Sequence, residues 1–230
     1  MTHYPGREME TMSIAVNYHR WIVDEFEPYL GAAIAEVGAG SGSVSVLLLE
    51  KRIERLLAFE PSHNIYPLLE RALSSDGRAT TINDVFNPGY TPDGVDSVVY
   101  INVLEHVEDD RAELGKARDA LRPNGHVLVF VPALSCLYSD LDRRIGHLRR
   151  YRKSKLEALV RQAGFAVVKA RYFDMAGVVP WYVNFVLLRR SLGTGSVSLY
   201  DKLAVPLIRA IERAVPPPLG KNVLLVGRRF

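Results

Sequence analysis

The stretch Ala33-Ile34-Ala35-Glu36-Val37-Gly38-Ala39-Gly40-Ser41-Gly42 decides how this chain is read. An apolar run ends in an acid and passes into a glycine-rich turn. An apolar helix candidate follows from Val44 to Leu49. A second apolar run, Leu56-Leu57-Ala58-Phe59, then closes on Glu60-Pro61. Strand, loop, helix, strand is the opening βαβ unit of an α/β sheet. Its glycines let the backbone pass close to a ligand, and the acid at the tip of the second strand can take two ribose hydroxyls. A dinucleotide loop has the spacing G-x-G-x-x-G, which requires glycine at position 43, where the chain has Ser43. The pattern here is G-x-G-x-G, with Glu36 two residues ahead of it.

The pattern continues along the chain. Residues 79–86 are predicted as a short strand closing on Asp84, and residues 95–101 as a fourth strand running into the polar turn Asn102-Val103-Leu104-Glu105-His106. Helical spacing from Glu108 to Leu121 stops at Arg122-Pro123-Asn124-Gly125. The almost wholly apolar run His126 to Val131 predicts a fifth strand, buried on both faces. Strand candidates at Phe165 to Tyr172 and Asn222 to Gly227 complete the set. The glycine loop with Glu36 and Glu60, the segment Tyr100-Ile101-Asn102-Val103-Leu104-Glu105-His106-Val107, and Leu121-Arg122-Pro123-Asn124-Gly125-His126 resemble motifs of the class I S-adenosylmethionine (SAM)-dependent methyltransferases. They occur in the family's order and span about residues 30–175, so the resemblance covers most of the chain. It implies a Rossmann-like α/β fold: a seven-stranded, mostly parallel sheet with helices on both faces and an antiparallel last strand.

The resemblance also implies the cofactor and its contacts. SAM, with S-adenosyl-L-homocysteine as product, has a ribose and an adenine but no pyrophosphate. Gly38, Ala39, Gly40 and Gly42, after Glu36, would pass beneath its amino-acid and ribose part. Glu60, followed by Pro61, would hold the ribose diol, and Asp84 with Val85 the adenine. Asn102 and Val103 would line the face near the sulfur. Asn83, beside Asp84, is equally polar, so that strand could register either way.

Composition sets outer bounds. The 230 residues are 48% hydrophobic and 24% charged, as in a globular chain long enough for a full core. The single cysteine forms no internal disulfide, which fits a reducing cytoplasm, and no secretory signal is visible at the N-terminus. The longest apolar run, Met175 to Leu188, is interrupted by Pro180 and Asn184 and is too short to span a membrane. No cysteine or histidine spacing builds a metal site, so none is expected.

Net charge is only +3, but basic residues crowd between Arg143 and Lys155. Arg143, Arg144, Arg149, Arg150 and Tyr151 follow the fifth strand, at the carboxyl edge of the sheet where such folds bind ligands. They are candidate acceptor contacts and point to an anionic group; a solvated helix face is the plain alternative. Asp140 and Asp142 break the run's sign, which argues against nucleic acid. His147, His106 and Tyr138 are the candidate catalytic residues, because an acceptor hydroxyl or amine must lose a proton. His106 could equally cap the next helix.

The chain is expected to be a single domain. Residues 1–30 form an N-terminal helical lid or a packing helix, 31–174 the SAM-binding core, 175–220 an insertion, and 221–230 the last strand. Leu203, Leu207, Ile208, Ile211 and Val215 give the insertion's second half an amphipathic pattern. It could cover the site, contact a membrane surface, or pair a homodimer. The expected function is methyl transfer to a small-molecule or peptide-like acceptor. An RNA or protein methyltransferase, or a SAM-binding regulator without catalysis, is the alternative.

Overall fold

A computed structural model describes residues 14–190 and 193–230. Seven strands form one sheet: β1 (Ala33–Val37), β2 (Arg55–Phe59), β3 (Ala79–Ile82), β4 (Val95–Ile101), β5 (Leu121–Pro132), β6 (Phe165–Phe173) and β7 (Asn222–Arg229). Their order is β3-β2-β1-β4-β5-β7-β6. Every pairing from β3 to β5 is parallel, while β7 runs antiparallel to both β5 and β6. All five residues of β1 are buried, because helices cover both faces of the sheet.

One face carries α1 (Val16–Phe26), α2 (Ser43–Leu49), α3 (Tyr66–Leu73) and α9 (Val205–Ala214). The other carries α4 (Asp110–Ala120) and α6 (Lys153–Gln162). Asp109 starts α4 by accepting a hydrogen bond from the amide of Ala112 at 2.8 Å, an N-cap worth about 1 kcal/mol. The strand order reverses between β1 and β4, where open α/β sheets place a ligand at the strands' carboxyl ends.

Helix α1 is a packed element. Trp21, Ile22, Val23 and Phe26 are almost fully buried, each contributing about 1.5–3 kcal/mol of apolar burial. Tyr18 and His19 from the same helix turn to the cleft described below. Residues 1–13 of the expected lid lie outside the described residues. Ala15, at the N-cap, offers no side-chain acceptor. Asp201, far along the chain, supplies one: its carboxylate accepts from the amides of Asn17 at 3.1 Å and Tyr18 at 2.8 Å.

The segment between β6 and β7 forms α7 (Val178–Trp181), a π-helical turn over Tyr182–Leu187, α8 (Thr194–Leu199), a second π-helical turn over Tyr200–Ala204, and then α9. It leaves and rejoins the sheet at one point. There the Lys221 amide donates to the Asp174 carbonyl at 3.0 Å, and Lys221 Nζ pairs with the Asp174 carboxylate at 2.8 Å. The amphipathic pattern of α9 is real, but its apolar stripe does not simply face inward. Leu203, Leu207, Ile211 and Val215 are exposed, while Val205, Ile208 and Glu212 are buried. Glu212 goes inside because it accepts from the amide of Met175 at 2.7 Å and pairs with Arg171 at 3.2 Å. Asp24 holds Arg209 at 2.9 Å from the same side. Among the described residues no helix is long and apolar enough to cross a membrane.

Candidate active site

A cleft of about 210 Å³ opens at the reversal point. The glycine loop after β1, the turn after β4, the segment after β5, Tyr18 and His19 of α1, and Trp181 of α7 wall it. The loop needs its glycines. Gly38 sits at φ +68°, and a Cβ there would stand 2.7 Å from Cγ2 of Val103. Gly42 turns the chain into α2 at φ +87°, which an L side chain adopts only with strain. Asn102 also lies in the left-handed region, at φ +55°, with its amide donating to the Phe130 carbonyl at 2.8 Å.

Of the expected cofactor contacts, Glu36, Gly38, Ala39, Gly40 and Asn102 line this cleft, and Gly42, Glu60 and Pro61 do not. Val103 packs beneath Gly38 instead of lining it. Burial pushes the carboxyl of Glu36 up to about 8, against the 2.5 Å hydrogen bond it accepts from Ser45; nearby Glu60 adds to the rise. Glu60 is buried at the end of β2 and ties two loops together. One oxygen accepts from the Gly40 amide at 2.9 Å, the other from the Ser62 amide at 2.8 Å. Each oxygen keeps a second lone pair for a hydroxyl.

Asp84 and Val85 stand outside the cleft wall. Asp84 accepts from the Val85 amide and the Tyr90 hydroxyl, both at 2.8 Å, and these bonds hold its carboxyl below the usual range. The strand ends at Ile82, because Asn83 turns its amide to the Glu60 carbonyl at 2.8 Å and releases the chain from pairing.

On the other side of the cleft the basic run separates into individual roles. Arg143 and Arg144 are exposed, and Arg143 pairs with Asp140 in the short helix α5 (Asp140–Arg144). Arg149 bridges to Asp110 at 3.0 Å, and the Tyr151 hydroxyl donates to the same carboxylate at 2.8 Å. Neither lines the cleft, because Asp110 at the start of α4 draws both toward that helix. Tyr138 donates its hydroxyl to the His147 carbonyl at 2.7 Å, so it braces the loop. Arg150 alone of these arginines lines the cleft. It is nearly buried, bonded to Asp142 at 2.8 Å and stacked 4.8 Å from the Trp181 ring centre.

Asp142 also accepts from Nδ1 of His147 at 2.9 Å and from the Ser139 hydroxyl at 2.8 Å. Burial alone would raise the Asp142 carboxyl, but His147, Arg150 and Ser139 together hold it below the usual range. His106 and His147 both line the cleft, their rings 4.7 Å apart edge to face. Burial, and then the neighbouring His147, hold His106 down at about 4. Beneath them lies Glu105, wholly buried, which burial pushes up to about 8. Sequence spacing could not bring His147 to the consecutive pair Glu105-His106, since α4, β5 and α5 lie between them in the chain. Two further wall residues, His19 and Lys221, carried no motif at all.

The fit to SAM rests on this chain's own groups: a loop that admits no Cβ at Gly38, a buried acid at Glu36, and a buried His19 Nδ1 without a partner. A methyltransferase-domain family model matches residues 23–170. The chain belongs to the class I SAM-dependent methyltransferases. Solved structures agree in fold. A chain in the complex between the Haloferax volcanii Trm112 methyltransferase activator and a methyltransferase aligns at TM-score 0.64 and 16% identity, over 96% of this chain and 92% of that one. A SAM-dependent methyltransferase from Archaeoglobus fulgidus aligns at 0.61 and 15%, over 93% and 94%. A Haemonchus contortus phosphoethanolamine N-methyltransferase, solved with phosphomonomethylethanolamine and S-adenosylhomocysteine, aligns at 0.61 and 13%, over 93% of this chain and 52% of its own. No curated protein matches the chain. SAM is the cofactor of this methyltransferase.

Proposed function

We propose that this methyltransferase transfers the methyl group of SAM to a small-molecule acceptor bearing an anionic group. SAM supplies an activated sulfonium methyl, so the chain's task is to align a nucleophile with it; such alignment is worth about 7–11 kcal/mol. Gly38 and Gly40 would lie under the cofactor's amino-acid and ribose part, Glu60 would take its ribose hydroxyls, and Asn102 would border the sulfur. Asp84 would take the adenine amine with the second lone pair that each of its oxygens keeps.

The observation that carries the acceptor reading is the His147–Asp142 pair in the same narrow cleft as the glycine loop. Asp142 commits Nδ1 of His147, which leaves Nε2 to face the acceptor and take its proton. Tyr18, Phe130 and Trp181 give the cleft apolar walls. Arg150 and Lys221 are the cations on its wall; each is already paired with a carboxylate, and the N–H donors those pairs leave over support the preference for an anionic acceptor in place of the surface arginines. A cleft of this size takes a small molecule more readily than a folded RNA.

The test is methyl transfer from labelled SAM to a panel of small hydroxyl and amine acceptors, with and without a carboxylate or phosphate, run beside bulk tRNA and bulk protein. Label in the anionic small acceptors is the expected result. Label in RNA or protein alone would overturn the reading, and SAM binding without any transfer would favour a regulator.

A further inference from the structure

We propose that Glu105, His106 and His147 form a binding site for one divalent first-row transition cation on the acceptor side of the cleft. One donor atom from each residue lies within 4.8 Å of the others. Both imidazoles are prepared for the task by their outer nitrogens. Nδ1 of His147 is bonded to the Asp142 carboxylate at 2.9 Å, and Nδ1 of His106 to the Gly146 carbonyl at 3.2 Å. An acceptor on Nδ1 places the proton there and leaves the lone pair on Nε2, the arrangement that orients metal-bound histidines. Nε2 of His147 already stands 3.7 Å from Oε1 of Glu105.

Glu105 is the second, independent observation. It is wholly buried, and neither carboxylate oxygen has a hydrogen-bond partner. A buried carboxyl whose oxygens find no partner is costly in either protonation state, and such groups are ordinarily hydrogen-bonded or bound to metal. Arg150 relieves it only in part, because its guanidinium is bonded to Asp142 and the Ala133 carbonyl and reaches Glu105 only through its charge. A cation between the two Nε2 atoms and Glu105 satisfies both oxygens and the two lone pairs together.

Two imidazoles and one carboxylate suit zinc, manganese or iron(II), and not the all-oxygen shells of calcium or magnesium. Metal–nitrogen bonds of about 2.0–2.1 Å require the three donors to draw in slightly from their present separation. Three protein ligands leave open positions for an acceptor oxygen, and a hydroxyl bound there ionises more readily than a free one. The inference rests on the proposed function only for the use of this cleft. It would give the cation, in place of bare His147, the work of loosening the acceptor's proton, which would leave to water in the open cleft.

The test uses the full chain without an affinity tag, stripped with chelator. Manganese(II) binding is followed by electron paramagnetic resonance, and zinc(II) binding by calorimetry. The expected result is one equivalent per chain, weakened at least about tenfold in both Glu105→Gln and His106→Gln. Unchanged thermal melting of those variants shows that they fold. The proposal is overturned if the parent shows no saturable binding of either ion, or if both folded variants bind as the parent does. SAM titration run in parallel separates the two readings. SAM binding without metal binding overturns this proposal alone, and metal binding without methyl transfer overturns the proposed function alone.

Discussion

Asp142 receives, on one carboxylate oxygen, both Nδ1 of His147 at 2.9 Å and Nε of Arg150 at 2.8 Å. That shared oxygen fixes the imidazole's tautomer and holds the arginine against Trp181 at the same time. This side of the cleft is therefore a single electrostatic unit. Changing Arg150 would disturb His147 as well as any acceptor anion.

His147→Ala should lower the methyl-transfer rate by about 10²–10⁴, the usual contribution of a positioned proton acceptor. SAM affinity should stay within a factor of about two. Single-turnover rates and calorimetry on the same preparation decide the point. An equal loss in SAM affinity would move His147 to the cofactor side.

Glu60→Ala should weaken SAM and S-adenosylhomocysteine by about 1.5–3 kcal/mol, the range for hydrogen bonds to a charged group. The variant also frees the amides of Gly40 and Ser62, so the loop itself loosens. Affinities measured by calorimetry test this, and an unaltered Kd would remove Glu60 from the cofactor site.

Glu36 makes SAM binding depend on pH. Its carboxyl sits at about 8, so at pH 7 it is mostly protonated, and a cationic ligand favours the ionised form. Binding should release a proton at pH 7 and tighten as pH rises from 6.5 to 8.5. Calorimetric enthalpies in phosphate and Tris should differ by the buffers' ionisation heats. In Glu36→Gln that difference should vanish.

His19 makes stability fall in acid. Burial holds its pKa at about 4, opposed only in part by Asp201, whereas an unfolded histidine titrates near 6.5. The unfolded state therefore binds the extra proton between those values, and stability drops as pH falls through that window. The shift corresponds to about 3 kcal/mol. Glu36 acts in the opposite sense, favouring the folded state less as pH rises from about 4.5 to 8. Thermal melts from pH 4 to 8 should show a shallower acid slope in His19→Gln and a shallower alkaline slope in Glu36→Gln; His106 and Glu105, shifted in the same directions, keep the remainder.

The cofactor half was legible because it is local. An apolar strand, a loop that must be glycine, and an acid at the next strand's tip are all consecutive in the chain. The acceptor half was legible only as a neighbourhood. Arg143, Arg144, Arg149 and Arg150 look alike in sequence, yet Asp140, Asp110 and Asp142 send them to different places. Glu105 reads only as one acid of the polar turn after the fourth strand, and the loop returning His147 beside it is visible only in the fold. The outward stripe of α9 has the same origin: Arg171 and the Met175 amide draw Glu212 inside and fix the helix's rotation.

The Asp201 cap on α1 ties the beginning of the chain to its end in time as well as in space. During synthesis the first helix is made early, but the acceptor for its amides of Asn17 and Tyr18 emerges only after β6 is complete. Tyr18 and His19 stand on that first turn, so the wall they form is secured only after residue 201 has emerged. A nascent chain halted before residue 201 would carry the glycine loop and the His147 segment with its front wall still unsecured.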